Sequence, residues 1–232
     1  MKNIDYLRVS EQFLSIQGEG KTMGVPSIFL RLQSCNLLCQ WPCDTIGVWR
    51  KGTKYTTDEI IQDWYQRGWL DKLRNGTHLI LTGGEPMLQQ EGLANLLREL
   101  PPCYKEVETN ATIEPKNIFD KYINQYNCSP KTSNSGMNER KRFKEDVIKW
   151  FTNDGRSVFK FVVDTPNDMK EILDDFVYKF QIKPSKVYLM PEAISEEELR
   201  TKRIWVAELC KEHGFNYSDR LQLLIWGKAT GV

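Results

Sequence analysis

The stretch Ser27-Ile28-Phe29-Leu30-Arg31-Leu32, followed by Cys35-Asn36-Leu37-Leu38-Cys39-Gln40-Trp41-Pro42-Cys43-Asp44-Thr45, decides how the chain is read. A short apolar run of this length predicts a buried strand. Three thiols just beyond its end predict a metal centre on the loop that the strand delivers. Further strands are expected at Ser27–Leu32's successors His78–Thr82, Tyr104–Glu108, Val158–Val163, Lys186–Met190 and Leu221–Ile225. Helical patterns lie between them. Thr56-Thr57-Asp58-Glu59 and Ser195-Glu196-Glu197-Glu198 have capping-box spacing, and Leu93, Leu96, Leu97 and Leu100 form a core stripe. Alternation of near-continuous apolar strands with helices predicts a parallel sheet covered by helices. A complete eight-unit barrel takes about 250 residues. The 232-residue chain holds fewer units. The expected class is therefore α/β, an incomplete (partial) TIM-like barrel of parallel strands with outer helices, in one domain over residues 1–232.

Composition narrows the function. With 32 Lys and Arg against 31 Asp and Glu, the net charge is +1, which gives no long-range field toward nucleic acid or a membrane. The N-terminal residues Met1–Tyr6 have no apolar core of signal-peptide length, and no window approaches a membrane span. A soluble, cytoplasmic protein with no nucleic-acid or membrane partner is expected. The run Arg140-Lys141-Arg142 with Lys144 reads as a solvated helix face.

In a reducing compartment a tight cysteine cluster points to metal or redox chemistry rather than disulfides. Cys103, Cys128 and Cys210 stand apart and read as small buried hydrophobes. Structural zinc would need a fourth ligand, yet the only histidines are His78 and His213, and there is no second cysteine pair. Three thiolates fit a four-iron, four-sulfur cluster with one iron left open. Thr82-Gly83-Gly84-Glu85-Pro86 closes an apolar strand, and its paired glycines allow close approach of backbone to a ligand.

Together the cysteine cluster and Gly-Gly-Glu-Pro resemble the radical S-adenosylmethionine superfamily. Within it the chain resembles the 7-carboxy-7-deazaguanine synthase family over nearly its whole length. The landmarks run in order: Ser15-Ile16-Gln17-Gly18-Glu19-Gly20, Phe29-Leu30-Arg31-Leu32, the cysteine loop with Asp44-Thr45, Thr82–Pro86, Glu108-Thr109-Asn110, Ser129-Pro130-Lys131, Lys160-Phe161-Val162-Val163, Leu189-Met190-Pro191-Glu192 and Leu224-Ile225-Trp226-Gly227. Two features depart from the family pattern. Pro42 lengthens the last gap, giving Cys39-x3-Cys43 where Cys-x2-Cys is usual, and Gln222 stands where a histidine is frequent.

The resemblance implies a carbon–nitrogen lyase that converts 6-carboxy-5,6,7,8-tetrahydropterin to 7-carboxy-7-deazaguanine with loss of ammonia, a step toward 7-deazapurines such as queuosine. It implies a 4Fe-4S cluster, S-adenosylmethionine, Mg²⁺, a reductant protein such as flavodoxin, and a homodimer. By position, Cys35, Cys39 and Cys43 would hold the cluster and Thr45 the magnesium. Pro42, Asp44, Gly84, Glu85, Glu108, Asn110, Ser129, Pro130, Lys131, Met190, Pro191 and Glu192 would contact S-adenosylmethionine, with Glu85 taking the methionyl amino group. Ile16, Gln17, Gly18, Glu19, Arg31, Thr82 and Val232 would contact the pterin. Arg31 would pair with the substrate carboxylate, and Gln17 would supply both donor and acceptor to the pyrimidine. The Val232 carboxylate would close the pocket from a tail that follows the Leu221–Ile225 strand. Two rival readings from other classes are an activase acting on a protein partner and a non-catalytic cluster or zinc protein.

Overall fold

Alternation along the strands decides which face of the sheet meets the helices and which faces inward. In a computed structural model, which describes residues 6–39, 46–227, 229 and 231, the nine strands form one sheet in the order β3-β1-β2-β4-β5-β6-β7-β8-β9. They are β1 (Tyr6–Ile16), β2 (Pro26–Leu32), β3 (Thr53–Thr56), β4 (His78–Gly83), β5 (Lys105–Thr109), β6 (Gln125–Cys128), β7 (Ser157–Val163), β8 (Val187–Pro191) and β9 (Asn216–Tyr217). β1 runs antiparallel to both β2 and β3, and every pairing from β2 through β9 is parallel. The sheet is open, with β3 and β9 at its ends. This is the expected partial barrel.

One set of alternate residues is apolar and faces the helices: Ile28, Leu30 and Leu32 of β2, Leu79 and Leu81 of β4, Val107 of β5, Phe159, Phe161 and Val163 of β7. Helix Thr57–Gln66 brings Ile60 and Trp64 to this core, helix Gln90–Glu99 brings Leu93, Leu96 and Leu97, and helix Glu145–Asn153 brings Ile148 and Phe151. Both expected helix starts form. Thr56 accepts from Glu59 N while Glu59 reaches back to Thr56 N, and Ser195 accepts from Glu198 N. Among the described residues no helix is long and apolar enough to cross a membrane.

Three expectations are corrected. Leu221–Ile225 is not a strand but lies in helix Leu221–Trp226. A short apolar run fits either period; here Leu221 N donates to Gly18 O at 3.0 Å, Gly227 N closes the turn on Leu223 O at 3.2 Å, and Leu223 packs with Ala193 and Leu199. The sheet ends instead at the two-residue strand β9. The basic run is solvated except at Arg142, which turns inward to pair with Glu171 and to donate to the Lys131 carbonyl. Cys128 and Cys210 are buried as expected, whereas Cys103 is only half-buried.

Candidate active site

The other set of alternate residues lines the lumen, and most of them are polar. Phe29, Arg31, Thr82, Glu108, Asn127 and Lys160 project from β2, β4, β5, β6 and β7 into one cavity of about 530 Å³. The end of β1 and the turn after it supply Ile16, Gln17, Gly18 and Glu19, and the loop after β2 supplies Cys35 and Cys39. Parallel pairing brings the C-terminal ends of the strands to one rim, where a barrel of this kind carries its chemistry.

Glu19 is the electrostatic centre of the floor. Lys160 Nζ donates to its Oε2, while Arg220 Nε at 3.2 Å and Gln222 Nε2 at 2.7 Å donate to Oε1. Burial alone would raise the Glu19 carboxyl, but Lys160 and Arg220 outweigh it and hold the group well below the usual carboxylate range. Burial likewise works against the Lys160 ammonium, and Glu19 with Glu108 raises its pKa instead. Glu19 is therefore a fixed anion. Beneath it, Gln17 Nε2 lies 3.0 Å from both Glu106 Oε1 and Glu108 Oε1, and Thr82 Oγ1 donates to Glu108 Oε2 at 2.5 Å. Burial pushes Glu106 up to about 7, against the hydrogen bonds from Thr22 and Gln17.

The Gly83-Gly84 turn presses against the cysteine loop. Gly83 has φ +125°, and a Cβ there would stand 2.2 Å from Leu32 O; a Cβ on Gly84 would stand 2.1 Å from Ser34 O. Gly84 N and Glu85 N bond Leu32 O and Ser34 O at 3.1 and 2.9 Å, extending strand pairing onto that loop. Asn110 Nδ2 holds Asn36 Oδ1 at 2.8 Å and approaches Cys35 Sγ at 3.9 Å, while Leu37 N donates to the same sulfur at 3.4 Å. Two unbridged thiols on one cavity, with N–H groups aimed at the Cys35 sulfur, suit an iron–sulfur cluster. Among the described residues no three metal-ligating groups meet; Cys43, like Pro42, Asp44, Thr45 and Val232, lies outside them.

Of the residues singled out from sequence, the cavity brings together Ile16, Gln17, Gly18, Glu19, Arg31, Cys35, Cys39, Thr82, Gly84, Glu108, Asn110, Ser129 and Lys131. Several details differ from expectation. Glu85 is fully buried outside the lining: it accepts from Met87 N at 3.0 Å, Thr109 Oγ1 at 2.8 Å and Asn110 N at 2.7 Å. Its side chain thus ties β4 to β5. Pro130, Met190, Pro191 and Glu192 also stand outside the lining, the last paired with Lys202 at 3.1 Å. Gln17 spends its amide on Glu106, Glu108 and the Glu19 N–H. Arg31 pairs with Glu11 at 3.0 Å beside the stacked rings of Phe13 and Phe29.

Lys160, Arg220 and Asn127 were not singled out. Lys160 sat inside a motif, and its charge within an otherwise apolar strand was the available signal. Gly227, Ala229 and Gly231 line the cavity, so the tail does reach it, though from a helix rather than a strand.

No family model matches the chain. Single proteins do. It is 35% identical to 7-carboxy-7-deazaguanine synthase of Pyrobaculum aerophilum, over 97% of both chains. It is 32% identical to the synthase of Rhodopirellula baltica over 97% of this chain and 89% of that one. The synthase of Halobacterium salinarum is 32% identical over 96% and 91% respectively. Among solved structures, QueE from Escherichia coli superposes with a TM-score of 0.69 at 22% identity, over 93% of this chain and 94% of that one. Such identity over nearly full length, on a partial barrel with its cysteine loop and Gly-Gly turn packed together, is decisive: the chain belongs to the 7-carboxy-7-deazaguanine synthase family.

Proposed function

We propose that the lumenal cavity is where this radical S-adenosylmethionine lyase takes 6-carboxy-5,6,7,8-tetrahydropterin and rearranges it to 7-carboxy-7-deazaguanine with loss of ammonia. One observation carries the placement: the fixed Glu19 anion and the Cys35–Cys39 loop line the same cavity. The 4Fe-4S cluster and S-adenosylmethionine, when bound, supply the one-electron chemistry. Cys35, Cys39 and Cys43 would hold the cluster, and the Gly83–Gly84 backbone, Asn110, Ser129 and Lys131 would hold S-adenosylmethionine. Glu19 would accept from the amino-pyrimidine edge, its charge kept by Lys160 and Arg220 through the reaction. Arg31 would turn from Glu11 to the substrate carboxylate, where a guanidinium gives two parallel donors.

Thr45 would hold Mg²⁺, a hard cation that suits a hydroxyl with substrate oxygen and water. The Val232 carboxylate would close the pocket behind Gly231. A cytoplasmic homodimer reduced by a flavodoxin-type protein completes the reading. The activase alternative is set aside, because the relatives matched over full length are synthases of a small molecule.

The test is incubation of the reconstituted enzyme with the carboxypterin, S-adenosylmethionine and reductant. A new species with the mass of 7-carboxy-7-deazaguanine is expected; unchanged pterin under reducing conditions sinks the reading. Thr45→Val should lose magnesium stimulation, and removal of Gly231-Val232 should weaken pterin binding with cluster content unchanged.

A further inference from the structure

Two buried amides give their NH₂ groups to one carboxylate oxygen. Gln17 Nε2 lies 3.0 Å from Glu106 Oε1, and Asn127 Nδ2 donates to the same atom. Thr22 Oγ1 donates to the other Glu106 oxygen at 2.5 Å. Glu106 Oε1 accepts from both amides, so each turns its nitrogen toward Glu106 and its oxygen away from it. For Gln17 that oxygen meets the Glu19 N–H at 3.2 Å. For Asn127 it meets nothing. Asn127 Oδ1 is a buried acceptor with no partner, on a residue 2% exposed that lines the cavity. Glu106 is fully buried and does not belong to the lining. Unpaired buried acceptors are rare in folded proteins because they are costly. An acceptor left without a partner on a residue of the cavity wall suits a donor that arrives with the ligand.

We propose that Asn127 is a specificity-determining residue whose Oδ1 accepts a ring N–H of the pterin's pyrimidine half, and that Glu106 is a positioning residue that sets this polarity from beneath. The inference rests on the reading of the cavity as the pterin site. It adds a reason for selectivity, since a floor built to accept a hydrogen bond rejects a ring that presents a lone pair there. Glu106 also holds the turn through Gln17 and Thr22, so one carboxylate orients both Asn127 and the Gln17–Glu19 stretch.

Equilibrium binding of 6-carboxy-5,6,7,8-tetrahydropterin to the cluster-loaded enzyme, with S-adenosylmethionine and without reductant, separates affinity from turnover. Asn127→Leu keeps the size and removes the acceptor. It should weaken pterin binding roughly ten- to a hundredfold, with S-adenosylmethionine affinity and iron content at parent values. Should the leucine variant not fold, Asn127→Ala carries the same expectation. Glu106→Gln should weaken binding by less, and the double variant should lose less than the sum of the two single losses, because part of the effect of position 106 runs through the Asn127 amide. Pterin affinity within twofold of the parent in the Asn127 variants overturns the inference and leaves the site assignment standing. An equal loss of S-adenosylmethionine affinity overturns it too, as a general structural effect. Additive losses in the double variant overturn the role of Glu106. A parent enzyme that binds no pterin overturns the site assignment and the inference together.

Discussion

The two faces of the same strands differ in chemistry, the outer apolar and the inner mostly polar. Along β7, Phe159, Phe161 and Val163 enter the outer core, while Lys160 between them reaches Glu19 in the lumen. Along β5, Val107 packs outward between Glu106 and Glu108, which point inward to Gln17. Period-two geometry assigns the faces, and the division of labour follows. The outer face makes stability from apolar area, which tolerates changes of detail. The inner face holds charges away from water, which requires each to be partnered. Damage to one should therefore be separable from damage to the other.

The sharpest separation should come at the thiols. Cys35→Ala or Cys39→Ala is expected to abolish cluster retention and all activity, whereas Cys103→Ala should keep both; iron analysis of the purified variants decides, and full iron content in Cys35→Ala would break the assignment. Next is a neighbouring pair on β7. Phe161→Ala should cost about 3–5 kcal/mol in urea unfolding and leave the pterin affinity of the folded fraction intact. Lys160→Met should lower kcat/KM by roughly 10²–10³ with a smaller shift of the urea midpoint. A reversal of that ranking would erase the contrast between the faces.

Proton linkage sharpens it further. Burial pushes Glu106 up to about 7 from its ordinary 4.5, so the folded state binds this proton more tightly than the unfolded chain does. Its contribution to stability is whole below 4.5 and declines as pH rises through 7. Glu19 works in the opposite sense: held low, it stabilises above the ordinary carboxyl value and ceases to do so as pH falls through its depressed one. Glu106→Gln should flatten the decline of stability between pH 4.5 and 7, measured by urea titration at several pH values; a slope equal to the parent's would place the proton on another group. The smallest effect belongs to the outer layer. Thr56→Ala removes the reciprocal cap of helix Thr57–Gln66 and should cost about 1 kcal/mol, with kcat/KM unchanged.

Strands marked by a short apolar or β-rich run were legible from sequence. β2, β4, β5, β7 and β8 fall within a residue or so of their expected bounds, β5 despite the two glutamates it turns inward. β6, Gln125-Tyr126-Asn127-Cys128, was not, because its inward residues are amides and no apolar run marks it. β1 escaped for a related reason: Arg8, Ser10, Glu11 and Gln12 interrupt its pattern, and a register shift near Val9 disturbs its alternation. The site was legible where function compresses residues into a short motif, as in Gln17-Gly18-Glu19 and Gly83-Gly84. Partnerships made in space were not. Nothing near Glu19 in the chain announces Lys160 or Arg220, which lie 141 and 201 residues away. The sequence around Glu85 likewise gives no sign of the three donors from its own fold that it accepts from.

The bonds that join the Gly18–Gly20 turn to the segment 218–222 also set an order in time. Gly20 N reaches Ser218 Oγ at 2.8 Å across 198 residues, and Gln222 reaches Glu19 across 203. Contacts so distant along the chain form late, after helices and neighbouring strands. The outer core needs none of them, since its last buried member among the described residues is Cys210. In folding, the outer hydrophobic layer can thus close while Glu19 still lacks Arg220 and Gln222. The molecule would pass through a stage that is folded outside and unfinished inside, with Lys160 the first partner of Glu19 and the segment 218–222 completing its surroundings last.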